Sequence, residues 1–191
     1  MRDETILMRK TKETDITVTL NLYGSGVMEG GTGLKFFDHM IEQLVFYSGM
    51  DLRIEAKWDL KHHLIEDAMF LLGKAISEQL GDREGIRRYG WAVAPMDESL
   101  VLTSIDLGGR TSYTSDLGFE GVVEGIDVRD ISHGIEALAR GSLSTIHIVV
   151  LRKGNPHHVL EAAFKSLGLS LGHAKVRTGK GVRSTKGVLD A

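Results

Sequence analysis

Two short segments carry one five-residue pattern, His62-His63-Leu64-Ile65-Glu66 and His157-His158-Val159-Leu160-Glu161. Imidazole and carboxylate are natural donors to divalent ions, and a helix places residues three and four apart on one face. His62 and Glu66, or His63 and Glu66, can therefore approach one ion. Adjacent histidines diverge by about 100° around a helix axis, so each pair suits two ions better than one. A single pattern of this kind also describes an exposed pair with an acid favoured by the helix dipole. Its duplication points to metal. A third histidine lies upstream of each segment, His39 and His133, so six of the eight histidines occupy equivalent positions together with two glutamates. The eight residues His39, His62, His63, Glu66, His133, His157, His158 and Glu161 divide into two sites of three histidines and one carboxylate, each with room for substrate at a six-coordinate ion. His147 reads as a packed, hydrogen-bonded strand residue, His173 as a charge favoured by a helix C-terminus, and Trp58 and Trp91 as core or edge packing. Thr178-Gly179-Lys180-Gly181 lacks the strand and the spacing of a phosphate-binding P-loop.

The elements that must position these groups are written twice. Lys12–Gly24 lines up with Asp97–Gly109, His39–Leu44 with His133–Leu138, and His62–Gly73 with His157–Gly168, in the same order and at nearly constant offset. Alternation and helical spacing predict strands near 4–10, 14–23 and 25–29, a helix near 36–48, a strand at 51–58 and a helix near 62–80. The second copy predicts strands near 87–94, 99–108 and 112–119, a helix near 129–141, a strand at 144–152 and a helix at 157–174. The order β-β-β-α-β-α, twice, is an α+β fold of two four-stranded sheets with four helices packed between them. Residues 1–84 form repeat one and 85–191 repeat two with a basic C-terminal arm, one compact domain by internal duplication, linked by a tight turn over 81–86. Gly24, Gly49, Gly81, Gly121 and Gly141 are expected at or near joints.

The chain has 191 residues, 42% hydrophobic and 26% charged, with two prolines, the profile of an ordinary soluble globular protein. It has no cysteine, so disulfides and thiolate ligands are excluded. A net charge of -3 gives no global attraction to nucleic acid. No apolar run approaches the roughly 20 residues of a membrane span, and the N-terminus lacks a signal-peptide stretch, so a cytoplasmic protein with no membrane partner is expected. Lys175, Arg177, Lys180, Arg183 and Lys186 make the tail locally basic and acid-free. It reads either as a solvated tail or as an anion-binding arm.

Over essentially its whole length the chain resembles the imidazoleglycerol-phosphate dehydratases of histidine biosynthesis. The matching segments include Thr11–Thr14, Thr32–Met40, His62–Asp67, Pro95–Glu98, Asp106–Arg110, Gly154–His158, Glu161–Lys165 and Ser184–Gly187. The resemblance implies two tandem repeats like domain 2 of ribosomal protein S5, two Mn2+ ions on the eight residues named above, and a 24-subunit homo-oligomeric shell with active sites between subunits. It places contacts to a small phosphate substrate on Glu13, Gln43, Arg88, Arg110, Lys165, Ser184 and Lys186, and catalytic roles on Glu13, His39, Glu66 and Glu161. The implied reaction removes water from imidazole glycerol phosphate to give imidazole acetol phosphate, through a metal-bound imidazolate and a diazafulvene-like intermediate, with Glu13 the first choice of general base and Glu98 its repeat mate. Two features depart from the family pattern. The segment before His62 is shorter, with Lys61 in place of a usual Asp, and Tyr47 replaces a frequent histidine. The orientation of His62 is therefore expected to rest on other neighbours. The competing readings are a two-metal phosphohydrolase, which typically needs bridging Asp residues absent from both clusters, and a non-catalytic S5-like binding module.

Overall fold

A computed structural model describes residues 4–179 and 181–189; Lys180 of the basic tail lies outside the described residues. In chain order the first repeat contains β1 (Thr5–Lys10), β2 (Thr14–Asn21), β3 (Met28–Gly31), α1 (Lys35–Ser48), β4 (Asp51–Trp58) and α2 (Lys61–Leu80). The second contains β5 (Tyr89–Met96), β6 (Ser99–Asp106), β7 (Ser112–Asp116), a short hairpin of β8 (Val122–Val123) and β9 (Ile126–Asp127), then α3 (Val128–Ser142), β10 (Thr145–Arg152) and α4 (Pro156–Ala174). The sheets run β1-β2-β4-β3 and β5-β6-β10-β7, and in each only the last pair is parallel. Period-two alternation sets their inner faces. Ile16, Val18, Leu20, Leu52 and Ile54 from the first sheet, and Val101, Ile105, Ile146 and Ile148 from the second, are buried in one continuous core with the helices. Among the described residues no helix is long and apolar enough to cross a membrane.

The helices pair across the repeats, α1 against α4 and α2 against α3. Glycine sets how closely they approach. A Cβ at Gly73 of α2 would lie 2.5 Å from the Leu138 carbonyl oxygen of α3, and one at Gly141 of α3 would strike the Phe70 carbonyl of α2. At the equivalent crossing, a Cβ at Gly168 of α4 would lie 2.8 Å from the Leu44 carbonyl of α1. These backbones touch, and a methyl group would force them apart. Gly141 lies near a joint, as expected, and is also a helix-crossing residue; the helix ends one residue later and is capped by Leu143 at φ 50°.

Several boundaries differ from the expected ones. β5 begins at Tyr89, since Arg88 has φ 72° and breaks the extended backbone. Pro95 is tolerated in it because β5 is an edge strand. β3 starts at Met28, because Asp51 Oδ1 takes the N–H groups of Ser25 (2.7 Å) and Val27 (3.1 Å) and holds that stretch as a loop. β7 stops at Asp116 and is followed by the unexpected hairpin, whose turn residues Glu124 and Gly125 have φ 47° and 79°. His147 is exposed on the outer face of β10, since alternation turns Ile146 and Ile148 inward, so the expected packing is not found. Trp58 is half-buried and donates Nε1–H to the Thr32 carbonyl at 2.9 Å, whereas Trp91 stands exposed on the edge strand.

Gly141→Ala is expected to destabilise the chain by about 1–3 kcal/mol through overpacking. Gly179→Ala is the control, since nothing lies within 4 Å of its added Cβ. Urea unfolding of both variants checks this, and equal midpoints would contradict the close crossing.

Candidate metal centre and substrate pocket

The crossings bring first-helix histidines of one repeat to second-helix clusters of the other. His39 of α1 meets His157 and Glu161 of α4, and His133 of α3 meets His62 and Glu66 of α2, with the donor atoms of each trio within 4.8 Å of one another. Each glutamate is the hub. Glu161 Oε2 lies 3.3 Å from His39 Nε2 and 3.5 Å from His157 Nε2, and Glu66 Oε2 lies 3.2 Å from His133 Nε2 and 3.9 Å from His62 Nε2. All four histidines therefore present Nε2 inward. α2 is anchored beside its cluster by the next residue, Asp67, whose Oδ2 accepts from Thr14 Oγ1 of β2 at 2.6 Å.

His63 and His158 are not gathered into these trios. His63 Nδ1 lies 2.8 Å from Asp59 Oδ1 and 3.9 Å from Glu13 Oε2, while His158 Nδ1 lies 3.2 Å from both Glu98 oxygens and 3.8 Å from Asp97 Oδ2. The divergence of adjacent helical residues is realised, and each chain pairs two imidazoles, not three, with each carboxylate. The trio Asp97-Glu98-His158 also has metal-ligand spacing. Its carboxylates engage Nδ1 of His158, which leaves Nε2 facing away from them, so Asp97 and Glu98 fix the orientation of this ring.

A second feature lies at the C-terminal arm. Residues past α4 are tied to the inter-repeat linker by Thr178 N–H to the Gly85 carbonyl (2.7 Å) and Gly85 N–H to the Gly181 carbonyl (2.9 Å). The arm then closes a cavity of 560 Å³ lined by Arg88, Arg110, Arg183, Ser184, Thr185 and Lys186, among others. Arg88 is held in place by a two-pronged bond to Asp106 (2.7 and 2.9 Å) and donates to the Arg183 carbonyl at 2.8 Å. Four of the expected substrate residues, Arg88, Arg110, Ser184 and Lys186, thus share one pocket. Lys165 stands elsewhere, paired with Glu161 Oε1 at 2.8 Å, and Gln43 Nε2 lies 3.5 Å from His39 Nδ1.

Residues 32–171 match the family model for imidazoleglycerol-phosphate dehydratase. Named members of that family from Chlorobaculum tepidum and Methanopyrus kandleri are 42% and 43% identical to this chain, each aligned over 95% of it and over 95% and 94% of themselves. The chain belongs to the imidazoleglycerol-phosphate dehydratase family. The crystal structure of the Pyrococcus furiosus member superposes with a TM-score of 0.86 at 42% identity, covering 96% of this chain and all of that one. The Staphylococcus aureus member gives 0.81 at 30% identity, with 91% and 99% covered. The expected α+β architecture of two similar halves is therefore found both in the chain and in its solved relatives.

Imidazoleglycerol-phosphate dehydratases are metal-dependent hydro-lyases, and the donor set here fits a divalent ion. His133 Nε2 is buried and has no hydrogen bond among the described residues, although Glu66 Oε2 is 3.2 Å away. A buried imidazole nitrogen so placed is costly unless a ligand takes it. The hub carboxylates are charged. Burial opposes ionisation of Glu66, but Arg140 (2.6 Å) and His133 outweigh it and hold the group below its ordinary range. Burial likewise opposes ionisation of Glu161, and Lys165 and His39 overcome it. Arg140 was not singled out in the sequence, nor were Asp59, Glu124 and Asp130. Arg140 and Asp130 carry a signal nonetheless, lying seven residues after and three before His133 on α3.

Glu98 is locked more firmly than Glu13. The Asn155 N–H (2.5 Å), its own backbone N–H and His158 lower its carboxyl to about 2, against an ordinary 4.5. A depressed acid stabilises the fold above its unfolded value and loses that contribution as pH falls towards its folded one. Acid unfolding curves should therefore show a loss of stability between about 4.5 and about 2 that Glu98→Gln lacks. Parallel curves for the two proteins would refute this coupling.

Proposed function

We propose that the chain converts imidazole glycerol phosphate to imidazole acetol phosphate and water in histidine biosynthesis, in the cytoplasm, with two Mn2+ ions per active site. The observation that carries this reading is the pair of equivalent trios, each aiming two Nε2 atoms and one carboxylate at a common point. Bound divalent ions supply positive charge at the two nitrogens of an imidazole, which point in opposite directions. His39, His157 and Glu161 would hold one ion, and His62, Glu66 and His133 the other. His63 and His158 turn away from their own chain's trios, which supports completion of each site by a neighbouring copy within a 24-subunit shell.

Glu13 is the proposed general base for the carbon-bound proton whose loss leads to the enol and then the ketone. Its side chain is 56% exposed, and the Nδ1 that it could bind, on His63, is already taken by Asp59 at the shorter distance. Glu98 is the poorer base, because its lone pairs are spent on the Asn155 N–H and on His158. Glu66 and Glu161 serve as metal-binding carboxylates, and Gln43 would set the ring of His39. At the other end of the substrate, Arg110, Ser184 and Lys186 line the pocket beside Arg88, and Arg88 keeps its fork aligned through Asp106. Lys165 is assigned to the metal end, where it neutralises Glu161.

Incubation of the Mn2+-loaded protein with imidazole glycerol phosphate should yield the acetol product; release of inorganic phosphate instead would favour a phosphohydrolase. Glu13→Gln should lower kcat about 10²–10⁴-fold. Glu98→Gln should act chiefly on metal binding, and the reverse pattern would transfer the base role to Glu98. Deleting residues 180–191 should raise KM or abolish turnover while bound manganese stays near the wild-type level. Unchanged catalysis would remove the arm from the phosphate site.

A further inference from the structure

The two second helices begin differently. α4 is capped by Asn155, whose side chain accepts the His157 N–H at 2.9 Å, and it starts with Pro156, whose fixed φ suits a first turn. α2 has Leu60 at the capping position and no side-chain cap. Asp59 takes the Leu60 N–H (2.6 Å) and the His63 ring, but does not reach His62. The start of α2 is held from outside instead. Lys61 Nζ donates to the Gly125 carbonyl in the β8–β9 turn at 2.6 Å, and His62 Nδ1 lies 2.9 Å from Asp130 Oδ1.

Asp130 is well placed to fix this ring. It sits in the first turn of α3, three residues before His133, so one face of α3 carries both groups. His133 sends Nε2 to Glu66, and its ring stacks on that of His62 with centroids 5.1 Å apart and planes at 25°. Among the described residues, His62 is the one trio histidine with a carboxylate within normal hydrogen-bond length of Nδ1. The carboxylate contacts at His39, His133 and His157 measure 3.9, 3.7 and 3.6 Å. Asp130 is not needed to start its own helix, since Asp127 already accepts the Arg129 N–H at 2.9 Å.

We infer that Asp130 is the positioning residue of the His62–Glu66–His133 trio, and that with the Lys61–Gly125 tether it replaces the cap that α2 lacks. By accepting the Nδ1–H of His62, the carboxylate selects the tautomer whose Nε2 lone pair faces Glu66 and His133, and it fixes the ring plane for a divalent cation. The other trio depends on its own helix cap and does not share this device. The inference rests on the metal reading given under Proposed function.

Mn2+ titration of the intact protein, with free ion counted by electron paramagnetic resonance, tests it. Wild type should bind two ions per chain. Asp130→Ala should weaken one of them about 10–100-fold and leave the other unchanged. Asp130→Asn, which keeps an acceptor oxygen and loses the charge, should recover most of that loss. Lys61→Met should weaken the same ion and leave the other unchanged. If wild type binds no Mn2+, the metal reading itself fails. If wild type binds two ions and Asp130→Ala binds both with wild-type affinity, only the positioning role fails. Equal weakening by Asp130→Ala and Asp130→Asn, together with equal falls in the metal-free thermal midpoint, would assign Asp130 to the α3 dipole and overturn the inference.

Discussion

Backbone contact between helices of opposite repeats is the constraint on which the rest of the structure depends. Ordinary helix packing keeps axes 8–10 Å apart, the distance set by intervening side chains. Gly73, Gly141 and Gly168 remove those side chains at the crossings, so α2 presses on α3 and α1 on α4. That proximity lets one carboxylate serve imidazoles from two helices. The geometry of the trios therefore depends on residues that carry no donor atoms, placed two turns or more from the histidines along the same helices.

Charge is arranged around each trio in a consistent way. One carboxylate oxygen faces the two Nε2 atoms and the other faces a cation, Arg140 at Glu66 and Lys165 at Glu161. The two cations come from different kinds of helix, the first helix of a repeat in one case and the second in the other. The halves thus reach similar electrostatics by unlike routes. The same holds for the carboxylates of the strand turns, since Asp59 frees Glu13 from His63 while Glu98 remains bound to His158.

Much of this was legible in the sequence because it repeats. The strand and helix order and the helices that carry the two trios follow from alternation, helical spacing and self-comparison, whereas His63 and His158, expected beside the other six, lie outside the trios. What escaped was relational. Nothing in the spacing of His39 and His62 indicates that His39 joins the α4 cluster, because repeat equivalence suggests grouping within a repeat, whereas the crossings exchange partners. The part Gly141 plays at the helix crossing escaped because a glycine near a helix end reads as a breaker and not as a contact residue. The β8–β9 hairpin escaped because Glu124-Gly125 is not an Asn-Gly or Asp-Gly turn signal. His147 looked packed because its neighbours Ile146 and Ile148 are, although alternation sends it outward.

The exchange of helices has a consequence for ancestry. Each trio needs a first helix from one half and a second helix from the other. A single ancestral repeat would therefore have held no complete trio, and its shortest route to one would have been a two-fold dimer carrying two identical trios. Two copies of a repeat within one chain are free to differ, so the trios need not be identical. Asn155 could then cap one helix while Lys61 and Asp130 steadied the other. The asymmetry between the halves is thus a freedom that a symmetric dimer of repeats could not have had.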